Sequence, residues 1–167
     1  MLILSPVDRA SEVPELVEAG AEELYAGYVP PFWAETFGPV VSCNRRSFDE
    51  ANVGTFDDLG ALVHAAAARD VPVHVALNAS PIPEGMIPRL LATAAEFARI
   101  GVRGVIVSDL PLLLALRGAK LHRLALHAST LFSAFNGMTV AFLRRAGLTP
   151  LTSPPAQPTP VRPKLVE

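Results

Sequence analysis

Three residues late in the chain have the side chains of a hydrolase catalytic triad. Asp109 follows one predicted strand, and His127 and Ser129 stand two positions apart at the end of the next. A carboxylate, an imidazole and a hydroxyl can activate the hydroxyl as a nucleophile, provided that hydrogen bonds connect them. Other roles are favoured over a triad, because an aspartate before a helix often caps it and a histidine is often neutral and bonded to the backbone.

Polar residues follow every predicted strand, although the strands themselves are apolar. In parallel α/β folds, ligands bind beyond the carboxyl ends of the strands, where the loops converge. The adjacent Arg45 and Arg46 can hold a carboxylate or a phosphate through paired hydrogen bonds, although such pairs are also common on surfaces. The sequence predicts a site for a small molecule or a peptide that includes nine residues: Tyr28, Asn44, Arg45, Arg46, Asn52, Asn78, Asp109, His127 and Ser129.

No arrangement of residues in the sequence indicates a metal or a cofactor. Glycine-rich phosphate loops, paired histidines on a helix and paired cysteines are absent. The single cysteine, Cys43, cannot alone hold zinc or an iron–sulfur cluster. His74 alternates with Val73 and Val75 in a predicted strand, so we expect a core histidine with its hydrogen bonds satisfied. We therefore expect neither a metal nor a cofactor.

The elements that position these residues are predicted to be βα units around a parallel sheet, because short apolar runs alternate with amphipathic stretches. Five runs are predicted to be strands: Leu2–Leu4, Glu23–Ala26, Val71–Leu77, Gly104–Val107 and Leu124–His127. Five stretches have apolar residues three and four apart and are predicted to be helices: Val13–Ala19, Phe56–Arg69, Met86–Ile100, Leu110–Leu116 and Thr139–Ala146. Glycines that follow three of them, Gly20, Gly101 and Gly147, indicate left-handed C-caps, and Thr55 indicates an N-cap.

Two segments interrupt this alternation. Gly27–Gly54 is a long connection rich in aromatic and arginine residues, which predicts an ordered, functional loop. Pro150–Glu167 contains six of the 16 prolines, which predicts a disordered, extended tail. We thus predict a partial β/α barrel domain over residues 1–149 and a proline-rich tail over residues 150–167.

The composition is that of a globular domain. The chain has 167 residues, is 50% hydrophobic and has a formal net charge of −2, so a basic surface for nucleic acid is not supported. Its apolar runs are far shorter than the roughly 20 residues that cross a bilayer. Residues 1–6 show no secretory signal, and we expect a cytoplasmic protein that does not enter a membrane.

Six strings that follow one another along the chain carry a family resemblance: Glu23–Gly27, Ser42–Phe48, Ala51–Phe56, Val73–Asn78, Val105–Asp109 and His127–Thr130. Together they resemble the collagenase-like peptidases of unknown catalytic type (peptidase family U, number 32). The order and spacing of the strings extend over nearly all of residues 1–149.

The resemblance implies a TIM-like β/α barrel, followed by a cysteine-containing region, and activity as a peptidase (a hydrolase). Relatives act in the oxygen-independent hydroxylation of ubiquinone precursors or of RNA with an iron–sulfur cluster. The resemblance places Asn78, Asp109, His127 and Ser129 at the barrel mouth, and Cys43 in a loop where some cluster-bearing relatives have a ligand. The cysteines of the later region are missing here, so a cluster is not expected.

The sequence departs from the family in the number of its strands. A closed barrel of this type needs eight strands and typically about 250 residues, whereas five strands are predicted here. We therefore expect an N-terminal part of such a peptidase, truncated and inactive alone. One alternative is a non-catalytic subunit or binding module completed by a partner chain. The other is a remnant of an iron–sulfur-dependent hydroxylation protein that acts on ubiquinone precursors or RNA. Exposed edges on the first and fifth strands predict self-association or pairing with a partner chain.

Overall fold

The sheet contains five parallel strands in the order in which they occur along the chain. A computed structural model describes residues 2–38, 41–46, 51–134 and 136–148. Its strands are β1 (Leu4–Pro6), β2 (Glu23–Gly27), β3 (Val73–Leu77), β4 (Gly104–Val107) and β5 (Ala125–Ala128). Each pairs with the next, as expected when every βα unit adds its strand beside the previous one. The predicted α/β fold with five parallel strands is confirmed. The tail predicted for residues 150–167 lies outside the described residues.

Helices follow each strand within the described part of the chain. They are α1 (Val13–Glu18), α2 (Pro31–Phe37), α3 (Phe56–Ala67), α4 (Ile87–Arg99), α5 (Leu110–Gly118) and α6 (Gly137–Arg145). The predicted caps are confirmed: Thr55 accepts a hydrogen bond from the Asp58 amide at the start of α3, and the three predicted C-cap glycines have positive φ angles. No helix among these residues is long and apolar enough to cross a membrane.

Most other predicted elements begin or end within two residues of the observed bounds, and two elements differ more clearly from the sequence prediction. The predicted strand Leu2–Leu4 is wrong in its bounds, because β1 pairs with β2 from Leu4, opposite Glu23, to Pro6, opposite Tyr25. Helix α2 was not predicted and lies inside the long connection. Its first residue is Pro31, which a helix accepts at that position because the amide there has no intrahelical partner.

The two faces of the sheet differ in character. The face toward the helices is apolar, and Leu24, Val75 and Val105 on it are fully buried. Burial of each such side chain is worth about 1.5–3 kcal/mol, so this layer holds the strands in place. The opposite face is called the inner face below, and it carries Glu23, Tyr25, His74, Gly104 and His127.

Candidate functional site

Asn78 connects three segments at the carboxyl end of the sheet. Its Nδ2 donates to Ser129 Oγ over 3.2 Å, and its Oδ1 accepts from the Arg45 amide over 3.0 Å. Its carbonyl oxygen accepts from Ser108 Oγ over 2.7 Å. Asn78 therefore joins the ends of β3, β4 and β5 to the long connection, as the predicted convergence of strand ends requires.

Asn44 and Asn52 hold the long connection together from within. Asn44 Nδ2 donates to Asn52 Oδ1 over 2.8 Å, and Asn44 Oδ1 accepts from the Arg46 amide over 2.9 Å. Asn44 is only 3% exposed. Because these side-chain groups are hydrogen-bonded within the connection, their role is to hold its conformation rather than to contact a ligand.

The two adjacent arginines have different surroundings. The Arg46 guanidinium donates to Asp8 and to the Ala51 carbonyl, and it lies 5.1 Å from the centre of the Tyr25 ring. Its charge is therefore paired, and its side chain ties the long connection to the loop after β1. The Arg45 side chain is exposed and, among the described residues, its guanidinium has no hydrogen bond or ion pair.

Arg45 borders an open cleft at the mouth of the sheet. The cleft has a volume of about 560 Å³, within the range of roughly 300–1,000 Å³ typical of ligand sites. The Trp33 and Phe37 rings, with centres 4.7 Å apart, form part of its wall, and Trp33 Nε1 donates to the Val41 carbonyl over 2.9 Å. The other lining residues are Val41, Ser42, Asn44, Arg46, Ala79, Ser80, Pro81 and Pro83.

Asp109 is a helix cap. Its Oδ1 accepts from the Leu112 amide over 2.9 Å, and its Oδ2 accepts from the Ile82 amide over 3.1 Å. No hydrogen bond connects it with His127 or Ser129 in the described part of the chain. Ser129 Oγ instead accepts from Asn78 and from the Leu131 amide, so the three residues do not form a catalytic triad here.

Tyr28 and Cys43 lie in the core rather than in the cleft. The Tyr28 ring meets the Phe56 and Phe97 rings edge-on, with centres 5.8 and 6.0 Å away, and burial raises the pKa of its hydroxyl. Cys43 is fully buried and its thiol donates to the Tyr28 carbonyl over 3.4 Å. Burial raises the pKa of this thiol to about 12, so it stays protonated and is a poor ligand or nucleophile.

A pair of histidines lies on the inner face below the cleft. The rings of His74 on β3 and His127 on β5 meet across β4, with centres 4.2 Å apart. They can meet because β4 has Gly104 between them: a Cβ there would lie 2.6 Å from His127 Nε2 and 2.8 Å from His74 Nδ1. His74 and His127 are 4% and 5% exposed.

Three of the four histidine ring nitrogens have no hydrogen-bond partner among the described residues. Both ring nitrogens of His74 and Nε2 of His127 are buried without one, and Glu23 Oε2 lies 3.3 Å from His74 Nε2 in a geometry that makes no hydrogen bond. The expectation that His74 is satisfied by hydrogen bonds is therefore wrong, because its ring faces a second imidazole and a glycine instead of the backbone.

The surroundings keep both rings neutral at ordinary pH. Burial lowers the pKa of His74 to about 4, helped by the positive charge of Arg103. Burial also lowers the pKa of His127 to about 4, helped by His74 and opposed by Glu23. In the described residues, no group of three histidine, cysteine, aspartate or glutamate side chains can hold a metal ion.

Comparison with known families and structures identifies the fold that carries this site. The sequence profile of peptidase family U32 matches residues 8–152. The chain belongs to peptidase family U32. Among solved structures, the U32 peptidase Mk0906 is similar, with a TM-score of 0.67 and 14% identity over 92% of this chain and 58% of that one. This family U32 chain thus spans less than two thirds of that peptidase. No curated protein matches the chain.

Two enzymes outside the family share the fold of this U32 chain. One is 2,3-dimethylmalate lyase, a member of the PEP mutase/isocitrate lyase superfamily, with a TM-score of 0.60 and 15% identity over 99% of this chain and 62% of that one. The other is phosphonopyruvate hydrolase, with a TM-score of 0.58 and 10% identity over 98% of this chain and 62% of that one. At these identities the likeness concerns the fold alone.

The nine residues that the sequence predicts as a site separate into groups in this U32 domain. Six of them form one connected region at the mouth: Asn44, Arg45, Arg46, Asn52, Asn78 and Ser129. The other three lie elsewhere: Tyr28 is in the core, Asp109 caps α5, and His127 is on the inner face. Sequence reasoning missed Trp33 and Phe37 in the cleft, and Glu23 and Gly104 beside the histidines. The sequence does contain a signal for the histidine pair. Both histidines alternate with apolar residues on β3 and β5, and the strand between them, β4, begins with Gly104.

Proposed function

We propose that this chain is the ligand-recognising N-terminal part of a family U32 peptidase barrel, that it binds peptides in the cleft at the mouth, and that it does not hydrolyse them alone. The observation that carries this proposal is the combination in one cleft of two aromatic side chains and the guanidinium of Arg45, which has no partner among the described residues. Apolar walls with a few polar groups are typical of sites that bind organic ligands.

Arg45 is suited to hold a carboxylate of the peptide. Its backbone amide is fixed by Asn78, so the base of the side chain is held in place while the guanidinium remains available. A guanidinium donates two parallel hydrogen bonds to a carboxylate. The Phe37 ring, which is partly exposed, offers apolar surface to the side chain next to that carboxylate, and Trp33, only 2% exposed, packs against it. We therefore expect recognition of the free carboxyl end of a peptide.

The bonding of Ser129 supports the proposal that the chain alone does not hydrolyse peptides. Its hydroxyl is held by Asn78 and Leu131 and has no hydrogen bond to a histidine among the described residues. A serine without an adjacent base is a weak nucleophile. Catalysis would then need groups beyond those described here.

The test uses Trp33, the only tryptophan of the chain, as a fluorescent reporter in the cleft wall. Tripeptides with a free carboxyl end are titrated into the full chain, in parallel with the same peptides amidated at that end. We expect saturable fluorescence changes with the free-acid peptides. Arg45→Gln should weaken their binding about tenfold, since a hydrogen bond to a charged group is worth about 1.5–3 kcal/mol.

The matched control is Arg99→Gln, which removes an arginine that is 71% exposed on α4 and should leave binding unchanged. Mass spectrometry of the same mixtures should detect no cleaved peptide. Equal affinity for acid and amide peptides, or equal effects of the two substitutions, would contradict the role of Arg45. Cleavage by the purified chain would contradict the second part of the proposal.

A second candidate function is a non-catalytic binding module completed by a partner chain. It is favoured by apolar side chains exposed near and beyond β5: Leu131 at 45%, Phe142 at 46% and Met138 at 84%. A partner chain that binds here would bury these side chains. Peptide binding that appears only when such a partner is added would favour this second function over the first.

A further inference from the structure

The inner face holds a buried polar group that the proposed function does not use. His74, His127 and Glu23 come from three strands, and the two rings are in contact across Gly104. A neutral imidazole carries one N–H donor and one acceptor nitrogen. Within the described part of the chain, three of the four ring nitrogens have no hydrogen-bond partner and are shielded from solvent, so these nitrogens can still form hydrogen bonds.

One added proton would let these ring nitrogens form hydrogen bonds. With one proton more, the His74 ring has N–H groups on both sides, one toward Glu23 Oε2 and one toward His127. The facing charges act in opposite directions: Glu23 from β2 favours the proton, and Arg103, which precedes β4, disfavours it. A second proton would place two like charges on rings whose centres are 4.2 Å apart, which is unfavourable.

The histidine pair is mechanically connected to the mouth. His74 and Asn78 lie on the same face of β3 and its extension, and His127 and Ser129 lie likewise on β5. The ring contact and the Asn78–Ser129 hydrogen bond therefore both join β3 to β5 across β4. That hydrogen bond is long at 3.2 Å, so a change in the spacing of the two strand ends would break it readily.

We propose that Glu23, His74 and His127 bind one proton as a unit, and that this proton opens the Asn78–Ser129 link at the mouth. Forming hydrogen bonds within the unit requires the two rings to turn out of their present contact, and a charged ring draws water into a dry space. Both effects separate β3 from β5. Asn78 also holds the amide of Arg45, so the acid form releases the loop that carries this arginine.

The test is a pH titration of the full chain by nuclear magnetic resonance. The ring signals of His74 and His127 should change together in one step centred near pH 4, and the side-chain amide signal of Asn78 should change in the same step. The exposed His64 and His122 provide reference signals in the same spectra. Independent steps for the two histidines, or an Asn78 signal that does not follow them, would overturn the proposal.

Substitutions distinguish shared proton binding by Glu23, His74 and His127 from simple packing of the two rings. Glu23→Gln keeps both rings but removes the favourable charge, so the shared step should move to lower pH. His127→Gln should abolish the step at Asn78, whereas the control His122→Gln should leave it unchanged. If His127→Gln does not fold, the Glu23→Gln titration still decides, because an unshifted midpoint would exclude Glu23 from the unit.

The effect of the proton on peptide binding rests on the proposed function, whereas proton binding by the three residues does not. Peptide affinity should fall as the shared step proceeds. If no peptide binds at any pH, the proposed function fails while the titration still tests the proton unit. If peptides bind with the same affinity on both sides of the step, the connection between the unit and the mouth is wrong.

Discussion

Gly27 shows how strongly one position can determine the mouth. A Cβ on Gly27 would collide with Asn52 Oδ1 and would lie 2.8 Å from Arg46 Cδ and 3.0 Å from the Ala51 carbonyl oxygen. Gly27→Ala must therefore displace the loop that Asn52 and Arg46 hold. We expect a loss of about 1–3 kcal/mol in the free energy of unfolding, measured by urea denaturation, together with weaker peptide binding.

The matched control for Gly27→Ala is Gly60→Ala in α3. Apart from its chain neighbours and the backbone of α3 itself, no described residue lies within 4 Å of the Cβ position of Gly60, and alanine favours a helix over glycine by about 0.5–1 kcal/mol. This control should therefore be as stable as the parent chain or slightly more stable. Equal losses in both variants would mean that close packing at Gly27 is not the cause.

Cys43 provides a chemical test of burial in the long connection. Its thiol is fully buried, and its pKa of about 12 leaves almost no thiolate at pH 8. Because the thiolate is the reactive form, we expect no reaction with Ellman's reagent in the folded chain at pH 8. One thiol per chain should react in guanidinium chloride, and a comparable rate without denaturant would show that this part of the connection opens.

Among the helices, α5 depends on Asp109 at its start. This buried carboxylate accepts from two backbone amides, Ile82 and Leu112, and so fixes both the helix and the loop that follows β3. Asp109→Ala leaves two buried donors unpaired, at about 1–3 kcal/mol each. We expect thermal denaturation to show a marked loss of stability, whereas Asp57→Ala, at an exposed position in the first turn of α3, should cost much less.

Asp109→Asn distinguishes the cap from a ligand-binding role. The amide oxygen can still accept from Leu112, so stability should recover part of what alanine loses. If Asp109 bound the ligand directly, both variants would lose peptide affinity even where the chain remains folded. Unchanged affinity in a folded Asp109→Asn variant is the result that a structural cap predicts.

Sequence patterns predicted the elements better than the contacts between them. β4 begins and ends where its apolar run predicts, and Thr55 caps α3 as its position indicates. Helix α2 was not predicted because two adjacent prolines, Pro30 and Pro31, usually indicate a loop. The sequence alone does not show that they lie at the start of a helix, where proline is accepted. The contact between His74 and His127 depends on the register of β3, β4 and β5 and on the missing side chain of Gly104, which no single segment reveals.

The same limit applies to the candidate site. Strand ends indicated Asn78 and Ser129 correctly as neighbours, because parallel strands bring their carboxyl ends to one edge. The sequence did not reveal that Arg46 is paired and Arg45 is not, because the partner of Arg46 is Asp8, which lies 38 positions away. Identical residue types therefore received one prediction, although one guanidinium is paired and the other faces the cleft.

The sheet has two edges that no described strand covers. β1 and β5 are the terminal strands of the sheet, and a free strand edge presents unpaired amide and carbonyl groups that favour pairing with another chain. Exposed apolar residues lie beside β1, where Leu2 and Ile3 are 60% and 54% exposed. We therefore expect the purified 167-residue chain to self-associate.

Light scattering after size-exclusion chromatography checks this expectation, with a mass above the 17.7 kDa of one chain as the expected result at micromolar concentration. Ala125→Lys places a charge on an exposed residue of β5 and should shift the distribution toward the monomer, because charged side chains on an edge strand oppose pairing. Ala92→Lys, at an exposed position of α4, adds the same charge away from both edges and should not. A parent chain that is monomeric throughout would show that its edges are already protected. If instead both lysine variants dissociate the oligomer equally, net charge rather than edge pairing governs association.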